Sequence, residues 1–169
     1  MHTELCQADD ASIRRAAALL RAGELVAFPT ETVYGLGADA LNAEASARIF
    51  AAKGRPADNP LIAHIAGESG LAGLIALEPC ACARALMRAF WPGPMTLIFP
   101  KSPRVPREVT AGLDTVAVRM PSHPVARALI CAAQTPIAAP SANRSGRPSP
   151  TTAAHVLEDM EGRIPLILD

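Results

Sequence analysis

Aromatic residues are scarce in this 169-residue chain, which has one Trp, one Tyr and four Phe. Few stacking platforms are therefore on offer for unpaired bases. Net charge is missing too, because sixteen basic residues balance sixteen acidic ones. Nothing global draws the chain to nucleic acid or to an anionic membrane surface, so any RNA role must be local. The longest apolar stretches are broken by Arg, Gly or Pro before the roughly 20 residues that a bilayer span needs, and the amino terminus lacks the basic-then-apolar order of a signal peptide. A cytoplasmic protein without membrane contact is expected. Neither G-x-x-x-x-G-K-[ST] nor G-x-G-x-x-G occurs, which removes the P-loop and the dinucleotide fingerprint as phosphate cradles. The four cysteines, Cys6, Cys80, Cys82 and Cys131, show no C-x-x-C spacing. They read as buried thiols, and no metal site is assigned.

Half of the residues are hydrophobic, enough for one domain with a real core. Asp9 or Asp10 can cap a helix whose apolar positions Ile13, Ala16, Ala17 and Leu20 recur at helical spacing, with Gly23 just past its end. Further helices are expected over Ala43 to Ala52, Gly70 to Ala76, Pro79 to Phe90, Val125 to Ala133 capped by Ser122, and Thr151 to Met160. Short apolar runs predict strands at Leu25 to Phe28, Leu61 to Ile65, Met95 to Phe99, Val116 to Met120, Pro136 to Ala139 and Pro165 to Leu168. Strands separated by helices indicate an α/β sheet covered on both faces, without internal repeat or linker.

Polar motifs stand at strand ends, where open α/β sheets keep their ligands. After Leu25 to Phe28, the run FPTETVYGLGADA (residues 28–40) offers three hydroxyls and two glycines where packing would ask for aliphatics. The loop KGRPADNP (residues 53–60), stiffened by Pro56 and Pro60, holds Lys53 and Arg55 one residue apart, and Ser141 to Pro150 alternates Ser, Asn, Gly and Arg. Fixed donors plus charge can bind phosphates without Walker geometry, although each loop taken alone also fits a solvated turn. Trp91-Pro92-Gly93-Pro94 reads as a rigid turn. His64, inside an apolar strand, is either a satisfied core histidine or a substrate-facing donor. Arg119 ends a Val-Ala-Val-Arg strand where an unpaired cation would cost several kcal/mol. Its anion is Asp114, Glu31 or the carboxylate of a ligand.

PTETVYGLGADA, KGRPADNPL, WPGPMTLIF, VAVRMPSHP and APSANRSGRPSPT, in this order, resemble the YrdC-type threonylcarbamoyl-AMP synthases, with motifs similar to the catalytic domain of the long form. The resemblance covers the chain from about Leu25 to Asp169. It implies a single YrdC-like α/β domain over residues 1–169, with a twisted mixed sheet, helices on both faces and a concave basic cavity. It also implies condensation of L-threonine, bicarbonate and ATP, with Mg2+ as part of the ATP substrate, into threonylcarbamoyl-AMP and pyrophosphate. That product serves downstream tRNA threonylcarbamoyl-transfer proteins, with at most weak tRNA contact. By motif position, Thr32 and His64 contact threonine, Arg119 holds its carboxylate and Ala139 lines the pocket through its backbone. Lys53, Arg55 and Asn59 take the phosphates, Lys53 and Arg55 acting as the catalytic electrostatic stabilisers, and Ser141, Asn143 and Ser149 complete the nucleotide site. The family pattern continues past Leu166 to Asp169 with a further polar segment. The domain is therefore expected to be truncated at its carboxyl end relative to the family.

Two other readings compete. One keeps the fold and makes a carbamoyl-adenylate, as domains of larger carbamoyltransferases are built to do. The other is a non-catalytic double-stranded RNA-binding module whose phosphate contacts are Arg104, Arg107, Arg144 and Arg147. Zero net charge and few aromatics give that module little drive.

Overall fold

Helix starts follow the capping chemistry written in the sequence. Asp9 accepts a hydrogen bond from Ser12 N at 2.7 Å and opens α1 (Asp10–Arg21), which buries Ala16, Ala17 and Leu20. Asn42 does the same for α2 (Ala43–Lys53), and Gly54, at φ +61°, ends it in the left-handed conformation that costs glycine least. The remaining helices are α3 (Ala81–Phe90), the short α4 (Arg107–Thr110), α5 (Pro124–Ala133) and α6 (Ala153–Met160). The strands are β1 (Glu4–Cys6), β2 (Val26–Phe28), β3 (Gly35–Asp39), β4 (Ile62–His64), β5 (Thr96–Pro100), β6 (Thr115–Arg119), β7 (Ile137–Ala139) and β8 (Leu166–Leu168).

The computed structural model describes residues 2–169 and joins these strands into one eight-stranded sheet, in the order β1-β8-β2-β3-β7-β4-β6-β5. Pairing is mixed. β8 runs parallel to both β1 and β2, and β4 parallel to β6, while the other neighbours are antiparallel. Alternation along the strands divides the core in two. Val26, Phe28, Ile137, Ala139, Leu166 and Leu168 pack with α1 and α5, whereas Ala27, Ala138 and Ile167 face a second cluster containing residues of α2, α3, α4 and α6. Both faces are covered, as a sheet of apolar strands requires. No helix of the described residues is long and apolar enough to cross a membrane.

Several elements depart from the sequence expectations. β3 was hidden by Gly35 and Gly37, which lower strand propensity but let neighbours close in. A Cβ on Gly37 would stand 2.8 Å from both Ile137 and Phe28. β1 is only three residues long, and α4 is a single turn following the Pro-rich loop. Gly70 to Ala76 is not an α-helix; a 3-10 helix spans Glu68–Gly73, and Gly70 lies against Ile65, where a Cβ would come within 2.9 Å. His123, not Ser122, caps α5, its Nδ1 accepting from Val125 N at 3.3 Å. Burial of the thiols is also corrected. Cys80, Cys82 and Cys131 are exposed and Cys6, on β1, is half-buried, all free; Cys80 caps α3 from outside it, and α3 and α5 turn Cys82 and Cys131 outward and bury Met87, or Leu129 and Ile130, instead.

Candidate functional site

β2 stops at Phe28 because Pro29 cannot continue the ladder, and the chain returns as β3 with Gly35 opposite Phe28. Thr30 closes the turn between them. Its Oγ1 donates to Val33 O at 2.6 Å and accepts from the backbone of Thr32 and Val33. This hydroxyl serves the turn, while Thr32 Oγ1 is left to meet Arg119 Nη2 at 3.1 Å. The parallel pairing of β4 with β6 sets His64 opposite Arg119, and β7 places Ala139 opposite Ile62. Paired residues share a face of the sheet. Thr32, His64, Arg119 and Ala139 thereby converge on one cavity of about 130 Å³, which Ser141 also lines. The space is that of about four water molecules, too small for a nucleotide and suited to a small polar metabolite.

The anion beside Arg119 is Glu31. Nη2 donates to Glu31 Oε1 at 2.6 Å, with side chains 10% and 19% exposed. Asp114 is exposed and precedes the opposite end of β6. Burial pushes Glu31 up, but the Arg119 hydrogen bond and charge, together with the backbone N–H groups of Glu31 and Ser122, outweigh it, so its carboxyl titrates below the usual range. The pair is incomplete on both sides: Arg119 Nε and Glu31 Oε2 are buried without a partner. His64 combines its two candidate roles. It is 4% exposed, packs edge-on against Phe28 and has Nδ1 3.0 Å from Ile62 O, yet it lines the cavity. Burial, reinforced by the Arg119 charge, lowers its pKa to about 4. The ring is neutral near pH 7, and the carbonyl partner places its proton on Nδ1.

A second cavity, about 260 Å³, adjoins the first and shares Ser141 with it; Lys53, Arg55, Asn59 and Asn143 line it. Lys53 ends α2, is 3% exposed, and donates from Nζ to the carbonyls of Ser141 and Asn143, each at 2.5 Å. Burial brings its pKa down to about 8, with the Arg55 charge acting in the same direction and Asp159 opposing. Asn143 is consumed by its own loop: Nδ2 donates to Arg144 O and Arg147 O, and Oδ1 accepts from Ser141 Oγ at 2.5 Å. Asp159, on α6, accepts from Arg144 N at 3.0 Å and pairs with the Arg147 guanidinium. The Ser141 to Arg147 loop is therefore stapled in place before any ligand arrives. Arg55 is freer. Nη2 reaches Asn59 O at a long 3.3 Å, Nε is buried without a partner, and burial lowers its pKa.

Of the residues expected to bind nucleotide, Lys53, Arg55, Asn59, Ser141 and Asn143 come together, and Ser149 does not. Ser149 lines a separate hollow with Arg147, His155 and Glu158. The sequence counts Tyr34 among the three hydroxyls of residues 28–40 without giving it a role, and it gives no place to Asp159. Tyr34 lines the small cavity and donates from its hydroxyl to Asp169 at 2.5 Å. Asp159 had a usable signal, a carboxylate on the same buried side of α6 as Val156 and Met160.

Residues 18–169 match the profile of the Sua5/YciO/YrdC family, described as telomere recombination. The chain belongs to this family. A threonylcarbamoyl-AMP synthase from Pyrococcus abyssi is 61% identical over 157 residues, 93% of this chain and 46% of that protein. One from Bacillus subtilis is 58% identical over 169 residues, 99% of this chain and 48% of that protein. The crystal structure of P. abyssi Sua5 complexed with L-threonine superposes with a TM-score of 0.93 at 57% identity, covering 99% of this chain and 49% of that one. The chain thus spans about half the length of these Sua5-type relatives, and the resemblance read from the five sequence motifs holds at the level of family and fold.

Proposed function

We propose that this domain makes threonylcarbamoyl-AMP and pyrophosphate from L-threonine, bicarbonate and ATP. The observation that carries the reading is the placement of unmet hydrogen-bonding groups. Four buried side-chain polar atoms among the described residues lack partners; two of them, Arg55 Nε and Arg119 Nε, belong to residues that line the two joined cavities, and a third, Glu31 Oε2, belongs to the carboxylate paired with Arg119. Buried polar groups are as a rule satisfied, so the gathering of unmet ones here marks groups kept for a ligand. The smaller cavity fits the amino acid, with Arg119 for its carboxylate and Thr32 and His64 beside it, and the larger one fits the phosphates. The names of the relatives, and L-threonine in the P. abyssi structure, support the same assignment.

In this reading the neutral amine of threonine captures bicarbonate, with loss of water, to give an N-carboxylate. One of its oxygens attacks the α-phosphorus of ATP in line, and pyrophosphate leaves. The domain contributes position and charge rather than a covalent intermediate. Ser141, shared by the two cavities, marks where the acceptor oxygen and the α-phosphate meet. Arg55 offers its free Nε to the phosphates, and Lys53 holds the Ser141 to Asn143 backbone that receives them. Charge developing on the phosphoryl oxygens is met by cations fixed in advance. Mg2+ enters with ATP as part of the substrate and neutralises phosphate charge; Asp58 is the carboxylate lining the phosphate cavity that could support it. The product would pass to tRNA threonylcarbamoyl-transfer proteins, any tRNA contact being weak. The RNA-module reading loses one phosphate contact, since Arg147 is already paired with Asp159. A cytoplasmic location accords with these partners.

The test is pyrophosphate release from ATP and bicarbonate, with and without L-threonine, and with serine and glycine as controls. Release that rises with threonine and not with glycine is expected. Release indifferent to threonine, or none from a protein that ATP and threonine also fail to stabilise thermally, would refute the assignment.

A further inference from the structure

The Glu31–Arg119 pair is a poor structural ion pair and a good half-site. A buried pair kept only for stability should satisfy both partners, because each uncompensated polar atom carries a desolvation cost. Here one hydrogen bond joins the two charges, and the remaining needs are opposite: Arg119 Nε lacks an acceptor and Glu31 Oε2 lacks a donor. Arg119 lines the small cavity, as do Thr30 and Thr32 on either side of Glu31. The only other ionisable side chain lining this cavity besides Tyr34 is His64, which is neutral near pH 7. The one cation that lines the cavity is therefore compensated from behind by Glu31, while Asp169, on the hydroxyl of Tyr34, stands behind the lining in the same way.

A carboxylate that docks on Arg119 also approaches the Glu31 charge, 2.6 Å from the same guanidinium. That repulsion is offset only if the ligand brings a cation of its own close to its carboxylate. An α-amino acid does so, and a hydroxy acid or a fatty acid does not. Building a like charge against the wrong ligand is a standard route to selectivity. We propose that Glu31 is a specificity-determining residue that makes the small cavity select ammonium-bearing carboxylates and reject acids of net negative charge. The proposal rests on the amino-acid assignment made above and adds a residue and a selection rule to it.

The test is calorimetric titration, at neutral pH and low ionic strength, of L-threonine and of (R)-3-hydroxybutanoate, which is threonine with hydrogen in place of the ammonium group. The wild-type chain should prefer threonine at least tenfold. Glu31→Gln, which removes the charge and keeps the shape, should weaken threonine and strengthen the hydroxy acid, shrinking the ratio at least tenfold. Glu31→Asp, which keeps the charge, should retain the preference even if both affinities fall. A ratio unchanged in Glu31→Gln would overturn the proposal, as would an equal loss of both ligands, which is the mark of a purely structural pair. Absence of threonine binding by the wild-type chain would instead refute the amino-acid assignment, and the selection rule with it.

Discussion

Replacing Lys53 by Met asks whether this cation works on phosphate directly or through the backbone. Methionine nearly matches the stem of lysine and removes only the ammonium and its two hydrogen bonds, to Ser141 O and Asn143 O. Each carbonyl left without a donor costs about 1–3 kcal/mol. Against that loss, an ammonium whose pKa has fallen from 10.5 to about 8 no longer has to be buried, which returns about 3 kcal/mol. The net change in stability should stay within about 3 kcal/mol, small enough for a typical domain to remain folded. Binding should suffer more. Ser141 lines both cavities, so a loop that must be reordered by the ligand penalises threonine and ATP together, by about ten- to a hundredfold each for about 1.4–2.8 kcal/mol of ordering. Urea unfolding gives the first quantity, and separate calorimetric titrations of ATP and L-threonine give the second. If Lys53→Met loses ATP and keeps the wild-type affinity for threonine, the backbone role is wrong and Lys53 is a phosphate ligand only.

Arg55→Ala should behave differently, losing ATP affinity at least tenfold while threonine binds as before, because Arg55 lines only the larger cavity and its one hydrogen bond stays within its own loop; equal loss of both ligands by titration would contradict the division of labour. His64 makes stability depend on pH: its pKa falls from 6.5 to about 4 on folding, so the unfolded chain binds more protons in that window and about 3 kcal/mol is lost as pH drops from 6.5 toward 4. The Arg119 charge adds to this depression and Glu31 opposes it. Urea unfolding of the wild type and of His64→Gln at a series of pH values should show this slope only in the wild type. Gly37→Ala puts a Cβ 2.8 Å from Ile137 and Phe28 and should cost about 1–3 kcal/mol in the same assay; a neutral result would mean that the sheet gives way more easily than its packing suggests.

What was legible in the sequence was whatever depends on near neighbours or on a demand that any fold must meet. β2, β4 and β7 announced themselves as short apolar runs, and their inward alternation produced the two-sided core. Arg119 announced its need for an anion, since a buried cation without one is unaffordable in any topology. Which anion it takes was not legible. Asp114 is five positions away along the chain and Glu31 is 88, and only the sheet order, which brings the turn after β2 over β6, decides for the distant one. Lys53 is the same case at larger scale. Its sequence context is a loop with a second cation two residues on, which suggests a pair of phosphate ligands of equal standing. Its partners, however, lie 88 and 90 positions ahead, so the ammonium points under another loop and Arg55 alone keeps an unpaired nitrogen. The cysteines fail for a different reason: composition favours burial of thiols, but the phase of each helix decides which side a residue faces, and α3 and α5 spend their buried positions on Met87, Leu129 and Ile130. Residue types at the site follow from chemistry that any ligand of this kind demands, while the roles of Glu31 and Lys53 follow from contacts between segments half a chain apart.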